Sequence, residues 1–353
     1  MFELLKKLTS LHGPCGYEQP ISYFIKGYVE DLVDEVKIDP IGNVIGLKKG
    51  SSPGPKVILT AHMDEIGFIV KKIEDNGLIR FEKLGGHDDR ILLAQKVKVR
   101  TRDTELLGVI GTMSAHYVKF DDASKVRKHQ NLYIDIGARS KEEVLKMGVE
   151  IGSPITWASD LELLGNLRTG RVVGKGLDDR AGCAVLLSVL EKLSKKKFAG
   201  EIYFLFTVQE EVGLRGAKVA AHNIEADVAI AVDTTAVSDT PEETMDNSLF
   251  LGAGTGIKII DFSLIAHPTV KESLVTLARE NDITFQYEVF PGIGTDGGAV
   301  SLSNRGIPTG VLSIPSRYAH SPVEVVDLED VKATEQLICS FILSLDEKSS
   351  FYF

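Results

Sequence analysis

The sequence predicts an α/β fold in which a mostly parallel central sheet with flanking helices carries an inserted small all-β domain, PDZ-like or a barrel. Apolar runs that end at Gly, Asp or Pro alternate with amphipathic helical stretches in the first sixty residues and again from about residue 171 onward. Between these two stretches, short β-like pieces with turn signals replace the helices. The predicted domains are therefore a discontinuous α/β domain, residues 1–65 and 165–353, and an insertion, residues 66–164.

The elements of the α/β part are visible in their composition. Four predicted strands are rich in Val, Ile and Leu, which is typical of strands buried on both faces. These strands are residues 57–60, 202–208, 228–232 and 311–314. Helical periodicity is found at residues 181–193 and 331–345, and it predicts helices that cover the sheet.

The insertion contains short strands and no long helix. The predicted strands are residues 68–73, 79–81, 95–99, 107–110 and 132–136. His87 is followed there by Asp88 and Asp89, which together form a candidate third metal cluster, although an ordinary polar segment is the favoured interpretation.

Composition excludes two classes of partner. The net charge of −10 and the absence of a long Lys or Arg run exclude a nucleic-acid groove. No apolar stretch approaches the roughly 18 residues of a membrane span. The first residues place Leu4, Leu5 and Leu8 on one helical face, unlike a secretory signal. Three widely spaced cysteines match no disulfide framework, so we expect a cytoplasmic protein.

Metal-capable residues follow the predicted strands. His62 and Asp64 come after residues 57–60, and Glu210 and Glu211 come after 202–208. Asp233 and His320 follow the last two predicted strands in the same way. Because ligands of open α/β sheets bind at the carboxyl ends of the strands, we expect these side chains to converge on one site.

Asp178 belongs to the same layer, because it lies in a turn that leads into the helix predicted from Ala181. Two imidazoles and several carboxylates form a nitrogen and oxygen ligand set. This set suits zinc, cobalt or manganese better than a redox metal or calcium.

Five motifs, which span nearly the whole chain in the family's order, resemble those of the TET or glutamyl aminopeptidase family of dinuclear metallopeptidases. The motifs are residues 61–67 (AHMDEIG), 176–182 (GLDDRAG), 208–213 (VQEEVG), 232–234 (VDT) and 313–322 (SIPSRYAHSP). The resemblance implies two divalent metal ions per subunit, zinc or cobalt.

The resemblance also implies a role for each residue. Asp178 would bridge the metals, His62 and Asp233 would complete one site, and Glu211 and His320 the other. Asp64 would orient His62, since a ligating imidazole usually gives its second N–H to a carboxylate. The Asp178–Asp179 peptide would be cis, as in the family.

The resemblance makes Glu210 the catalytic base, because it is not needed as a ligand and is free to take a proton from the attacking water. The substrates would be peptides with a free amino terminus, whose amine would bind a metal or a nearby carboxylate. The preferred amino-terminal residue is not readable from the sequence.

Three residues are candidates for substrate contact. Gly254 lies in a glycine-rich loop without a nucleotide-binding spacing, and Asp296 lies in a loop similar to one that borders the family's active site, although an ordinary turn is an equal interpretation. Arg317 closely precedes His320. The resemblance further implies dimer contacts through the insertion and a hollow tetrahedral dodecamer built from dimers.

Three alternative functions remain to be compared. An amino-acid deacylase, carboxypeptidase or dipeptidase shares the dinuclear site, but the long β insertion favours an aminopeptidase. An endoglucanase is disfavoured, because glycoside hydrolysis generally uses two carboxylates and no metal pair. A non-enzymatic binding module would leave the complete set of metal and acid–base residues unexplained.

Overall fold

A computed structural model describes residues 1–352 apart from 115, 118–121, 123 and 166–169. The strands in these residues are β1 (Glu35–Ile38), β2 (Val44–Lys49), β3 (Ser52–His62), β4 (Gly67–Ile73), β5 (Ile79–Leu84), β6 (Lys96–Arg100), β7 (Glu105–Ile110), β8 (Ile134–Asp135), β9 (Pro154–Trp157), β10 (Glu162–Leu163), β11 (Arg171–Gly174), β12 (Ala199–Thr207), β13 (Val228–Ala236), β14 (Thr255–Ile260), β15 (Phe285–Val289), β16 (Thr309–Arg317) and β17 (Glu324–Asp327). The helices are α1 (Phe2–Ser10), α2 (Gln19–Val29), α3 (Lys141–Lys146), α4 (Leu177–Leu193), α5 (Arg215–His222), α6 (Pro268–Glu280), α7 (Asp296–Ser301) and α8 (Leu328–Ser344).

Eleven of the strands in the described residues form one large mixed sheet, with the main order β1-β2-β12-β3-β13-β16-β17-β11-β10 and with β14 and β15 attached beside β16. The four central strands β12, β3, β13 and β16 are parallel, as predicted. The flanking strands β2 and β17 pair antiparallel with this centre. Because β17 and then β11 each reverse direction, β11 runs the same way as the central strands.

The central strands are apolar on both faces because helices cover both. Alternate residues of β3 separate into two cores. Val57 and Leu59 pack in the core with α1, α2, α4 and α8. Ile58 packs on the opposite face with the alanines of α5 and with α7. This double burial explains why the predicted strands consist of Val, Ile and Leu rather than alternating apolar and polar residues.

The second region is a closed barrel of six antiparallel strands, in the order β4-β5-β8-β7-β6-β9. Its separate core includes Phe68, Phe81 and Trp157. All five predicted strands of the insertion exist, but β9 and the short helix α3 were not predicted. β9 was missed because its burial is complete, so it shows no alternation. β10, near the predicted boundary at residue 164, pairs with β11 of the large sheet.

The amino-terminal helix exists as predicted, with Leu5 and Leu8 buried. Cys15, Cys183 and Cys339 are free thiols. Among the described residues, no helix is both long enough and apolar enough to cross a bilayer.

Candidate metal centre

Five predicted ligand side chains meet at the carboxyl edge of the parallel strands. We call them the edge cluster: His62, Asp178, Glu211, Asp233 and His320. His62 is the last residue of β3, and Glu211 follows the end of β12. Asp233 lies inside β13, because that strand continues four residues beyond its predicted end at Val232. The central strands are parallel, so their carboxyl ends bring these sequence-distant side chains together.

Asp178 lies between the two imidazoles of the edge cluster. Its Oδ1 is 3.3 Å from His62 Nε2, and its Oδ2 is 3.3 Å from His320 Nε2. Asp233 Oδ1 lies 3.6 Å from His62 Nε2, and Glu211 Oε1 lies 3.2 Å from His320 Nε2. Each imidazole thus faces one oxygen of Asp178 and one oxygen of a second carboxylate.

The cluster fits a bound cation. Ligand atoms of His62, Asp178 and Glu211 lie within 4.8 Å of one another, and the same holds for His62, Asp179 and Asp233. Asp178 Oδ1, Asp179 Oδ2 and Glu211 Oε1 are buried without a hydrogen-bond partner. Because buried carboxylate oxygens are normally paired, these orphaned atoms identify a candidate metal-binding group.

The charge balance of the cluster points the same way. None of the salt bridges that join described residues pairs a Lys or Arg with Asp178, Glu211 or Asp233; their charged partners are the two histidines. Burial opposes protonation of His320, yet Glu211 and Asp178 raise its pKa to about 12. Burial raises the pKa of Asp233 to about 7. Without a bound cation, the negative charge of the cluster therefore favours protonation: His320 is protonated by its carboxylate neighbours, and Asp233 is partly protonated near neutral pH.

Asp64 connects the cluster to Glu210. Its Oδ1 is 3.5 Å from His62 Nδ1 and also accepts a hydrogen bond from the Glu210 backbone N–H at 3.0 Å. Its Oδ2 accepts from the Glu211 N–H at 3.2 Å. The carbonyl oxygen of Asp64 lies nearer to His62 Nδ1, at 3.1 Å. Asp64 therefore contacts the His62 ring through both its carbonyl and its carboxylate, and its carboxylate also holds the backbone of the two adjacent glutamates.

Glu210 is 9% exposed and lines the same cavity as the edge cluster, but it makes no salt bridge with either histidine in the described structure. Burial raises its pKa well above the ordinary value for a glutamate. A carboxylate with a raised pKa beside a metal-binding group has the properties of a general base.

The backbone around the cluster has several unusual conformations. The Asp178–Asp179 peptide is cis, as the resemblance implied. His320 and Gln209 have φ values of +60° and +55°, in the left-handed region that few residues other than glycine adopt. Left-handed conformations of residues other than glycine concentrate at functional sites.

Sequence reasoning missed two groups that hold the ligands. Glu324, at the start of β17, accepts hydrogen bonds from the Asp178 N–H at 3.1 Å and the His320 N–H at 2.9 Å. The carbonyl oxygen of Gly86, in the barrel, lies 2.9 Å from His320 Nδ1. Glu324 falls just outside the last motif, and a backbone carbonyl leaves no sequence signal.

The cavity at the edge cluster has a volume of about 630 Å³ and is also lined by Phe262 and by the 292–294 segment. A larger cavity of about 1230 Å³ lies elsewhere, near α7 and the start of β16, and contains no residue of the edge cluster. Chemistry rather than volume therefore identifies the candidate site.

The three candidate substrate residues do not line this cavity. Gly254 donates its N–H to Asp330, and Arg317 forms a bidentate pair with Asp239, with both nitrogen–oxygen distances 2.8 Å. Asp296 is 3% exposed and accepts a hydrogen bond from the Thr207 hydroxyl. In the described structure each of these residues has an internal contact.

The cluster suggested by residues 87–89 does not assemble. Asp88 pairs with Arg90, and Asp89 contacts Lys83. His87 Nε2 faces the carbonyl oxygens of Gly67 and Leu84 instead. These three side chains do not form a metal-binding group in the part of the chain that the structure describes.

Comparison with known proteins first gives the class. A solved aminopeptidase from the archaeon Desulfurococcus kamchatkensis is 44% identical, with a TM-score of 0.92 over 97% of this chain and 94% of that one. The lysyl aminopeptidase of Pyrococcus furiosus is 35% identical over 95% of each chain. These relatives are peptidases, so the protein is a peptide-bond hydrolase.

The family follows from a second comparison. The profile of the M42 glutamyl aminopeptidase family matches residues 42–337, and the chain belongs to that family. A Pyrococcus horikoshii TET1 peptidase, described as able to assemble into a tetrahedron or a large octahedral shell, is 35% identical, with a TM-score of 0.87 over 97% of this chain and 99% of that one. The predicted family and the predicted aminopeptidase class are confirmed.

One relative carries a different name. A solved structure from Thermotoga maritima named as an endoglucanase is 36% identical, with a TM-score of 0.77 over 96% of each chain. Every carboxylate pair in the edge cluster of the present chain is interleaved with a histidine, which is not the arrangement of two free carboxylates that glycoside hydrolysis requires. The aminopeptidase assignment therefore stands.

Proposed function

We propose that the edge cluster holds two divalent metal ions, zinc or cobalt, with Asp178 as their shared ligand. His62 and Asp233 would complete one site, and Glu211 and His320 the other. The position of Asp178 carries this proposal, because each of its oxygens lies 3.3 Å from a different imidazole. Nitrogen and oxygen ligands of this kind suit zinc and cobalt.

When bound, such a metal pair would lower the pKa of a bound water and polarise the scissile carbonyl. Glu210 would take the proton of that water and pass it to the departing amine. Its buried position supports this role, since burial favours the protonated form that the second transfer needs. Asp64 would keep His62 and the Glu210 backbone in place through the contacts described above.

The substrates we propose are peptides with a free amino terminus. A free amine in its neutral form could bind one of the metals through its nitrogen lone pair, whereas the nitrogen of an acetylated amine is an amide and has no such basic lone pair. Gly254, Asp296 and Arg317 remain weaker proposals as substrate contacts, and their internal contacts do not favour them.

We also propose a cytoplasmic homo-oligomer, a tetrahedral dodecamer built from dimers, with the insertion at residues 66–164 as the oligomerisation domain. The assembly described for the related TET1 peptidase supports this proposal. Native mass measurement in the presence of metal tests it. A monomer at all concentrations would overturn it.

The activity is tested with a panel of aminoacyl p-nitroanilides and amino-terminally acetylated peptides. Metal-stripped protein should be inactive, and added zinc or cobalt should restore cleavage of free amino termini only. Cleavage confined to acetylated substrates would make the protein a deacylase with the same site. Cleavage of cellulose chains unaffected by a chelator would support the glucanase alternative.

A further inference from the structure

The barrel reaches the candidate metal centre through one short segment. Residues 85–87 follow β5, and the Gly86 carbonyl oxygen lies 2.9 Å from His320 Nδ1, on the opposite side of the ring from the nitrogen that faces Asp178 and Glu211. A carbonyl only accepts, so Nδ1 is the donor and Nε2 is directed to the cluster. Ligating histidines commonly have such an outer partner, which fixes their tautomer.

The two histidines of the edge cluster obtain this outer partner from different regions. His62 receives it from Asp64, two residues away in its own loop, whose carbonyl oxygen lies 3.1 Å and whose Oδ1 lies 3.5 Å from Nδ1. His320 receives it from the barrel, 234 residues away in sequence. The orientation of His320 therefore depends on how the barrel segment is held.

The backbone of this segment approaches its neighbours too closely for larger residues. A Cβ atom on Gly86 would lie 3.2 Å from His320 Nδ1. Gly85 has a φ of +82°, and a Cβ there would lie 2.7 Å from Ile66 Cγ2. A side chain at either position would therefore have to displace its neighbour, and at Gly85 it would also occupy a strained backbone conformation.

His87 fixes the segment to the barrel core. Its ring stacks on Phe68 with centroids 4.4 Å apart and contacts Trp157 at 5.7 Å. Its Nε2 lies 2.8 Å from the Gly67 carbonyl oxygen and 3.2 Å from that of Leu84. Burial lowers the pKa of His87 to about 4, so the ring is neutral and its single N–H is on Nε2, where both acceptors lie.

We infer that His87 is a positioning residue, which anchors the Gly86 carbonyl so that the barrel core sets the orientation of His320 at the metal centre. The inference rests on the proposed function, because it treats His320 as a metal ligand. It also accounts for the histidine of the 87–89 motif, which binds no metal in this arrangement.

The test compares His87→Phe with Asp88→Asn in metal-stripped protein. Phenylalanine keeps the aromatic stacking but cannot bond the two carbonyls, whereas Asp88 is a half-exposed neighbour whose partner is Arg90. Zinc and cobalt affinities are measured by competition with a chelator, beside thermal unfolding and steady-state kinetics. We expect His87→Phe to weaken one of the two metals by about 10–100-fold, to lower kcat more than it raises KM, and to leave the other metal unchanged. Asp88→Asn should match the wild type.

A second variant covers the case in which His87→Phe does not fold. Gly86→Ala keeps His87 and places a methyl group 3.2 Å from His320 Nδ1, so it should weaken the same metal. Unchanged affinities in a folded variant, or equal weakening of both metals, would overturn the inference. Failure of the proposed function is distinguishable, because the wild-type protein would then bind fewer than two metals in the same titration.

Discussion

Two clusters of histidine and carboxylates among the described residues differ in what balances their charge. In the edge cluster, two histidines face three carboxylates that have no lysine or arginine partner among the described salt bridges. In the barrel, Glu82, Asp89 and His129 form a similar group, which we call the barrel cluster. There Lys71 lies 2.8 Å from Glu82, and Lys83 lies 2.5 Å from Asp89.

The comparison teaches that composition alone does not define a metal site. Both clusters contain the right residue types, and each leaves a buried carboxylate oxygen without a hydrogen-bond partner: Asp89 Oδ1 in the barrel cluster, and Asp178 Oδ1 and Glu211 Oε1 in the edge cluster. Among the described residues, the barrel carboxylates also have lysine partners, whereas those of the edge cluster face histidines and no lysine or arginine. Buried carboxylates need a cationic partner, and a metal ion is the partner that we propose for the edge cluster. In the barrel cluster, lysines already supply that charge.

The largest effect is expected from replacing the proposed catalytic base, and the same Glu→Gln replacement in the barrel cluster is the control. Glu210→Gln should retain bound metal but reduce kcat by about 10²–10⁴-fold, because the amide cannot accept the proton of water. Glu82→Gln in the barrel cluster is the matched control and should leave kcat unchanged. Steady-state kinetics with metal analysis of both variants provide the check. Wild-type turnover in Glu210→Gln would remove Glu210 from the mechanism.

A smaller effect is expected from the group that orients a ligand. Asp64→Asn should weaken metal binding by about 10–100-fold, because the amide no longer fixes the His62 ring as an anion does. His129→Asn should leave metal stoichiometry and affinity unchanged. Equilibrium dialysis measures both variants. Loss of a bound metal in His129→Asn would break the distinction between the two clusters.

The barrel cluster should respond to acid. A hydrogen bond from Lys71, opposed by burial and reinforced by His129, lowers the pKa of Glu82 to about 2 from an ordinary 4.5. A lowered pKa stabilises the fold above pH 4.5, and this stabilisation is lost as the pH falls toward 2. The difference in thermal unfolding between the wild type and Glu82→Gln should therefore shrink over that range. A constant difference would contradict the proposed charge pairing.

The smallest effect is expected from the exposed lysine of that pair. Lys71→Met should lower the free energy of unfolding by only about 0.2–1 kcal/mol, because exposed ion pairs are screened by water. Lys56→Met, which removes a longer 3.9 Å contact with Glu201 in the large sheet, should have less effect. Denaturant unfolding compares the two. A loss of metal from Lys71→Met would be unexpected, since the pair lies in the barrel.

Much of the fold was readable because its signals are local. Each of the four central strands contains an apolar run that is buried on both faces, and the prediction located every one of these runs. The start of β3, at Ser52, was missed because its first residues are polar, Gly or Pro. The antiparallel flanks were not predicted, because pairing direction depends on the path of the whole chain. β9 was missed for a related reason: its four residues are all buried, and a short apolar run has no periodicity to recognise.

In the candidate site, too, some residues could be identified from the sequence, whereas the contacts of others are seen only in the structure. The strand ends identified the residues of the edge cluster, and the structure brings all five together. Asp296 lies in a loop similar to one that borders the family's active site, and Arg317 lies inside the last motif. In the structure Asp296 accepts a hydrogen bond from Thr207 and Arg317 pairs with Asp239. Their role as substrate contacts stays a prediction.

The sequence by itself determined which residues are capable of binding metal, since a residue's type and its place after a buried strand are local properties. Only the tertiary structure decided which of those residues have no lysine or arginine partner, and which hydrogen bonds keep their side chains in position. The Gly86 carbonyl reaches His320 across 234 residues, and Lys83 reaches Asp89 in the barrel. Charge balance and outer hydrogen bonds depend on distances through space, and chain folding sets those distances.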